Sequence, residues 1–199
     1  MVRRGIVGKQ ATLQTDEVPQ FEDNTFVRSQ FDVQKQIVTS VKRSQSDAEI
    51  DNTIEAPTCV CLNLEDLKCF EVVEHQYEYC GVIFGNSIAI QPSNPAFPTN
   101  SGLTVLMGAP KSGFLEAKFL RPVSKVSACI TSSQRLVMSA YARDRQLLTQ
   151  SILPSANLAN SDSVLPPNSP LFVTTQNIYS VTFCAFDGQF TLSDFCFYV

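Results

Sequence analysis

The chain has 199 residues, a net charge of -4 and 44% hydrophobic content, which allows one sizeable domain plus an appendage. No basic patch interleaves with aromatic residues, so nucleic acid is not an expected partner. No run approaches the roughly 18 apolar residues of a membrane helix, so the chain is not expected to span a bilayer.

Residues 1–55 differ from the rest. They mix both charges with Gln, Ser and Thr, and their apolar residues Phe21, Phe26, Val27 and Phe31 stand apart. Such a segment does not bury enough apolar surface to fold alone. It reads as an irregular N-terminal arm, either disordered or ordered against a partner. Within it, 31–41 fits a short amphipathic helix or an extended strand equally well. Arg3 and Arg4 precede a mixed polar stretch rather than an apolar core, so the start does not read as a secretory signal.

From residue 56 the pattern is that of strands. Residues 59–64 and 68–73 read as two, followed by a polar loop or helical turn at 74–78. Gly85-Asn86 separates 79–84 from 87–91 and suits a tight hairpin. Residues 92–102 hold three prolines and form a surface loop. Strands are expected at 103–107, 114–119, 123–131, 136–142 and 146–153. Residues 154–170 form a long loop with four prolines, a kind often functional or mobile. Strands at 171–175, 178–184 and 189–198 complete an all-β antiparallel sandwich over 56–199.

The closing stretch changes phase. Phe190 and Leu192 keep one parity, Phe195 and Phe197 the other. Side chains alternate faces along a strand, so the switch at Ser193-Asp194 implies an inserted residue, a β-bulge. It would aim Asp194 aside, either into solvent or toward a cation or hydrogen-bond network.

Seven cysteines occur: Cys59, Cys61, Cys69, Cys80, Cys129, Cys184 and Cys196. Cys59-Val60-Cys61 is C-x-C, without the C-x-x-C spacing of a zinc or redox site. Most stand where Val or Ala would also fit a strand, and they read as small buried hydrophobes rather than a disulfide set. Glu71, Glu74, His75 and Glu78 are the one cluster that could suggest catalysis, but acids in a turn read more simply as a solvated face. The chain is therefore not expected to be an enzyme.

Several blocks, in this order, carry a resemblance: Gly81-Val-Ile-Phe, Pro92-Ser-Asn-Pro-Ala-Phe-Pro, Phe119-Leu-Arg-Pro-Val-Ser-Lys-Val, Ser139-Ala-Tyr-Ala and Phe190-Thr-Leu-Ser-Asp-Phe-Cys-Phe. Together they resemble a jelly-roll β-sandwich of cyanobacterial and PEP-CTERM-type surface proteins, similar in turn to galactose-binding-like and carbohydrate-binding modules. The resemblance covers residues 59–199. It implies a cell-surface or extracellular setting and a structural calcium between the first and last strands. Glu65 and Asp194 match its acidic positions, and they are expected to lie close in space. Ser193 replaces a second Asp of the family's pattern, and Arg143-Asp144-Arg145 replaces its Asp-x-x-Gly turn.

Two functions remain open. One is a non-catalytic interaction module that docks into a larger assembly through its sandwich and its arm. The other is a carbohydrate-binding module, with Asn94, Phe97, Asn100 and Tyr141 as candidate ligand contacts. The chain has no Trp, the residue on which sugar rings most often stack, which favours the first.

Overall fold

The computed structural model describes residues 58–108 and 113–199. They belong to the second of two units, Asn52–Val199. The arm at 1–55, with its ambiguous segment 31–41, lies outside the described residues.

The described residues are all-β. β1 is Cys59–Cys61, β2 Val82–Gly85, β3 Ser87–Ile90 and β4 Val105–Gly108. β5 is Phe114–Ser132, β6 Leu136–Tyr141 and β7 Leu147–Leu153. β8 is Ser169–Cys184 and β9 Phe190–Tyr198. A 3-10 turn at Glu78–Cys80 is the one helical piece among them. No helix among the described residues is long and apolar enough to cross a membrane.

The nine strands pair antiparallel in the order β3-β4-β9-β5-β8-β6-β7, with β1 beside β9 and β2 beside β5. Two of them are long enough to serve both halves of the molecule. The first part of β5 pairs with β2 and with 180–184 of β8; its second part pairs with β9 and with 169–174 of β8. Between the parts the register slips at Lys118/Val123 and again at Val123/Lys125. Pro122 falls inside this slip, where its missing N–H costs no ladder bond. Asn177, at φ 63, bends β8 opposite.

These bends fold the connected sheet over itself, as aromatic rings from unpaired residues show. Phe84 of β2 lies 5.4 Å from Phe195 of β9, and Phe119 of β5 lies 5.1 Å from Phe197. Phe183 of β8 reaches Phe195 at 6.5 Å. Such offset and edge-on pairs add to the area they bury. Around them a single apolar core takes in alternate residues such as Leu115, Ala117, Val126, Ala128 and Ile130.

Four expectations need correction. Gly85-Asn86 is no hairpin: β2 pairs with β5 and β3 with β4. Asn86, left-handed at φ 59, is a corner between the two halves instead. Residues 68–73 form turns with a lone bridge, Val72 to Ile88, rather than a strand. The expected strands 114–119 and 123–131 are one strand, as are 171–175 and 178–184, because bulges carry pairing through the irregular residues.

The fourth correction concerns the thiols. Cys61 and Cys196 are directly opposite in register and form a disulfide. None of the other five cysteines is fully buried. The C-x-C spacing explains it. Val60 packs against the core, so its neighbours Cys59 and Cys61 both take the outer face. The bridge closes a sequence separation of 135 residues, and the loop it removes from the unfolded chain is long. Reduction should therefore cost about 2–4 kcal/mol of stability, measured by urea unfolding with and without a reductant. Unchanged unfolding curves would mean that the bridge does not constrain the chain.

Candidate functional site

Most of the residues that sequence patterns single out lie on or against one loop, 92–104, which runs between β3 and β4. Its far end is held by two carboxylates. Asp194 accepts a hydrogen bond from Asn100 Nδ2 at 2.8 Å and another from Ser101 Oγ. Glu65 Oε1 accepts the backbone N–H groups of Leu103 and Thr104, each at 2.9 Å. Gly102 sits between these anchors at φ 110, and a Cβ there would collide with the Glu65 carboxylate. A side chain at 102 would thus break the loop twice over, by backbone conformation and by contact.

The bulge expected in the last strand is present. Pairing of β9 with β5 shifts between Ser127–Cys196 and Cys129–Ser193, so β9 holds one more residue than β5 there. Asp194 is left-handed at φ 50. Asp tolerates this conformation better than most residues because its short polar side chain bonds locally. Cys129 also donates to it: burial first, then the charge of Asp194, pushes this thiol up to about 11.

Beside Asp194 lies a small cavity of about 110 Å³, lined also by Asn63, Ser101, Thr104 and Ser193. Thr104 Oγ1 and Ser193 Oγ are buried without a hydrogen-bond partner, a condition that costs about 1–3 kcal/mol per group unless something fills the site. Glu65 does not line this cavity. Glu65 and Asp194 thus grip the same loop, but each carboxylate is met by N–H, O–H or S–H donors. No three His, Cys, Asp or Glu side chains converge as metal ligands among the described residues.

The near end of the loop lines a second cavity, of about 220 Å³, with Phe70, Ile90, Met107 and Gln189. Asn94 and Phe97 are here together. Asn94 turns the chain, its Oδ1 accepting from Ala96 N and its carbonyl from Phe97 N, both at 3.0 Å. The other two candidate contacts are elsewhere. Asn100 is committed to Asp194. Tyr141 lies in β6, with the Arg145 guanidinium 5.2 Å from its ring centre. Arg145, in the turn between β6 and β7, pairs with Glu116 of β5, so Tyr141 supports an ion pair between that turn and β5. The four do not form one site, because Tyr141 belongs to the other half of the folded sheet.

Phe70 is the residue that strand patterns miss. Its backbone is left-handed at φ 66, and its ring is 78% exposed. Its N–H donates to Ala89 O at 2.7 Å, and Ala89 N returns a bond to Glu71 O. Glu71 locks the same turn: hydrogen bonds from Gln76 and from the Lys68 N–H hold its carboxyl below the usual range. His75 Nδ1 meets Glu78 at 3.0 Å on the exposed surface. Of the acidic cluster, Glu71 thus shapes the turn that presents Phe70.

The long loop 154–168 closes the arrangement. Ala159 N donates to Ala96 O at 3.0 Å, and Asn168 Nδ2 to Pro98 O at 2.9 Å. Its anchor is Asn157, fully buried, which accepts from Ser132 N and donates to Ile130 O and Pro166 O. One of three Asn in a Ser- and Pro-rich stretch, Asn157 gives no sequence signal for that role.

No protein-family model matches the chain, and no curated protein matches it significantly.

Proposed function

We propose that this chain is a non-catalytic interaction module that docks into a larger assembly, and that the cavity at Phe70 and Phe97 is its contact surface. The observation that carries the proposal is Phe70. A bulky residue in the left-handed region costs about 1–2 kcal/mol, and burial does not offset that cost for a ring 78% exposed. Strain of this kind clusters at binding sites, where a partner supplies what the free protein lacks. The loops around the cavity are pinned by Asp194, Glu65 and Asn168, so the surface is preformed. Residues 1–55 serve as a second tether in this reading.

A glycan is the second reading. Gln91, Asn94 and Gln189 give the cavity a neutral amide rim beside two Phe rings, a mixture of donors, acceptors and apolar faces that suits a sugar ring. The resemblance to surface-protein sandwiches, and the jelly-roll connectivity it implies, support either occupant. The disulfide supports an oxidising setting for both. Pull-down from the native source together with a glycan array, each with wild type and Phe70→Ala, separates them. Truncating an aromatic anchor should weaken partner binding by about 2 kcal/mol and leave the melting temperature unchanged. Equal binding by Phe70→Ala would remove this cavity from the account, and glycan capture alone would select the second reading.

Calcium is proposed at the small cavity beside Asp194. The two orphan hydroxyls, Thr104 Oγ1 and Ser193 Oγ, support it, and Ser101 would complete the set. Glu65 does not line this cavity, and its Oε1 is engaged by the Leu103 and Thr104 N–H groups. With one carboxylate, affinity falls at the weak end, about millimolar. A ligand that binds only the folded state stabilises it by mass action. Wild type should therefore melt higher in calcium than in chelator, and Asp194→Ala should lose that difference. Identical wild-type curves in the two conditions would remove the metal.

A further inference from the structure

Three sulfurs meet on the outer face of β1 and β9. Cys61 and Cys196 form the disulfide. Cys59, exposed, holds its Sγ 3.8 Å from Cys61 Sγ. A disulfide sulfur carries no hydrogen, so the Cys59 S–H is the donor in that contact. Tyr198 lies directly opposite Cys59, and Lys125 directly opposite Tyr198 on its other side. The Lys125 ammonium sits 5.2 Å from the Tyr198 ring centre. The thiol therefore faces solvent in a cross-strand row that ends in a cation.

We propose that Cys59, Cys61 and Cys196 form a thiol–disulfide exchange site with Cys59 as the attacking thiol. Cys59 loses its proton to solvent. Its thiolate attacks Cys61 Sγ, a Cys59–Cys61 bond forms, and the Cys61–Cys196 bond breaks. The electron pair leaves on Cys196 Sγ, which then takes a proton. One thiol and one disulfide exist before and after, so no oxidant or reductant is consumed. Residues two apart on a strand have Cα atoms about 6.7 Å apart, at the upper edge of disulfide geometry. Closing that bridge draws β1 out of its extended form. The exchange thus removes the covalent latch between β1 and the last strand, leaving three register pairs and the flanking backbone bonds of Leu62 to Phe195 and Val199 to Thr58.

The test is disulfide mapping of the full chain. The protein is incubated without reductant over a series of mildly alkaline pH values, quenched in acid and alkylated under denaturing conditions. Its peptides are then read by mass spectrometry. Wild type should show alkylated Cys196 together with an internal disulfide in the peptide carrying Cys59 and Cys61. The initial rate should rise about tenfold per pH unit below the thiol's pKa, because the thiolate is the nucleophile. Cys59→Ser should keep Cys196 bonded to Cys61 throughout, whereas Cys69→Ser, which removes another exposed thiol, should behave as wild type. Alkylation of Cys196 that is equal in wild type and Cys59→Ser, or wild type with Cys61–Cys196 as its sole linkage at every pH, would overturn the proposal.

Discussion

One inserted residue in the last strand sets the geometry of this domain. β9 lies between β5 on one side and β4 and β1 on the other, so both its edges are paired. Its first half sends Phe190 and Leu192 into the core, and its second half sends Phe195 and Phe197. A strand of strict period 2 would do one or the other. The bulge at Asp194–Phe195, just past the paired Ser193, allows both, at the cost of a left-handed Asp194. That cost is about 1–2 kcal/mol, while burying each Phe ring contributes about 1.5–3 kcal/mol. Two rings outweigh one strained residue, and the same rings bridge the two halves of the folded sheet.

The bulge also reaches outward. It turns the Asp194 carboxylate toward loop 92–104, where Asn100, Ser101 and Cys129 meet it. Glu65 holds the next residues of that loop by their backbone, and Gly102 leaves room for it. The loop's other end then forms the cavity at Phe97. A device that solves a core-packing problem in β9 thus fixes the surface that the proposed function uses. The link from packing to function runs through side-chain hydrogen bonds on a loop with no regular structure of its own.

Some of this was legible in the sequence and some was not. Alternation along 114–119 and 190–198 gave strands, and the parity switch gave the bulge, because both are local properties of one strand. The continuity of β5 through Pro122 was not legible, since a proline argues against a ladder unless the register is known to slip there. Gly85-Asn86 has hairpin chemistry, and only the pairing of β2 with β5 reveals it as a corner. The same holds for Cys61 and Cys196, whose meeting depends on which strand lies beside which. Phe70 was hidden for another reason: an aromatic in a run of strand-forming residues looks like core, and its left-handed backbone leaves no mark in composition. Asn94 and Phe97 lie together because four residues cannot separate far, whereas Tyr141 stands apart from them by a distance that sequence does not report.

The most direct measurement is deletion of Asp194, which removes the extra residue itself rather than its side chain. The account predicts that the shortened β9 no longer satisfies both parities, so that Phe195 and Phe197 lose their places or the pairing with β5 slips. Urea unfolding followed by circular dichroism should then show a loss of roughly 3–5 kcal/mol, the scale of losing a large buried aromatic, or no cooperative transition at all. A deletion variant that unfolds cooperatively with wild-type stability would contradict the claim that the bulge organises the fold.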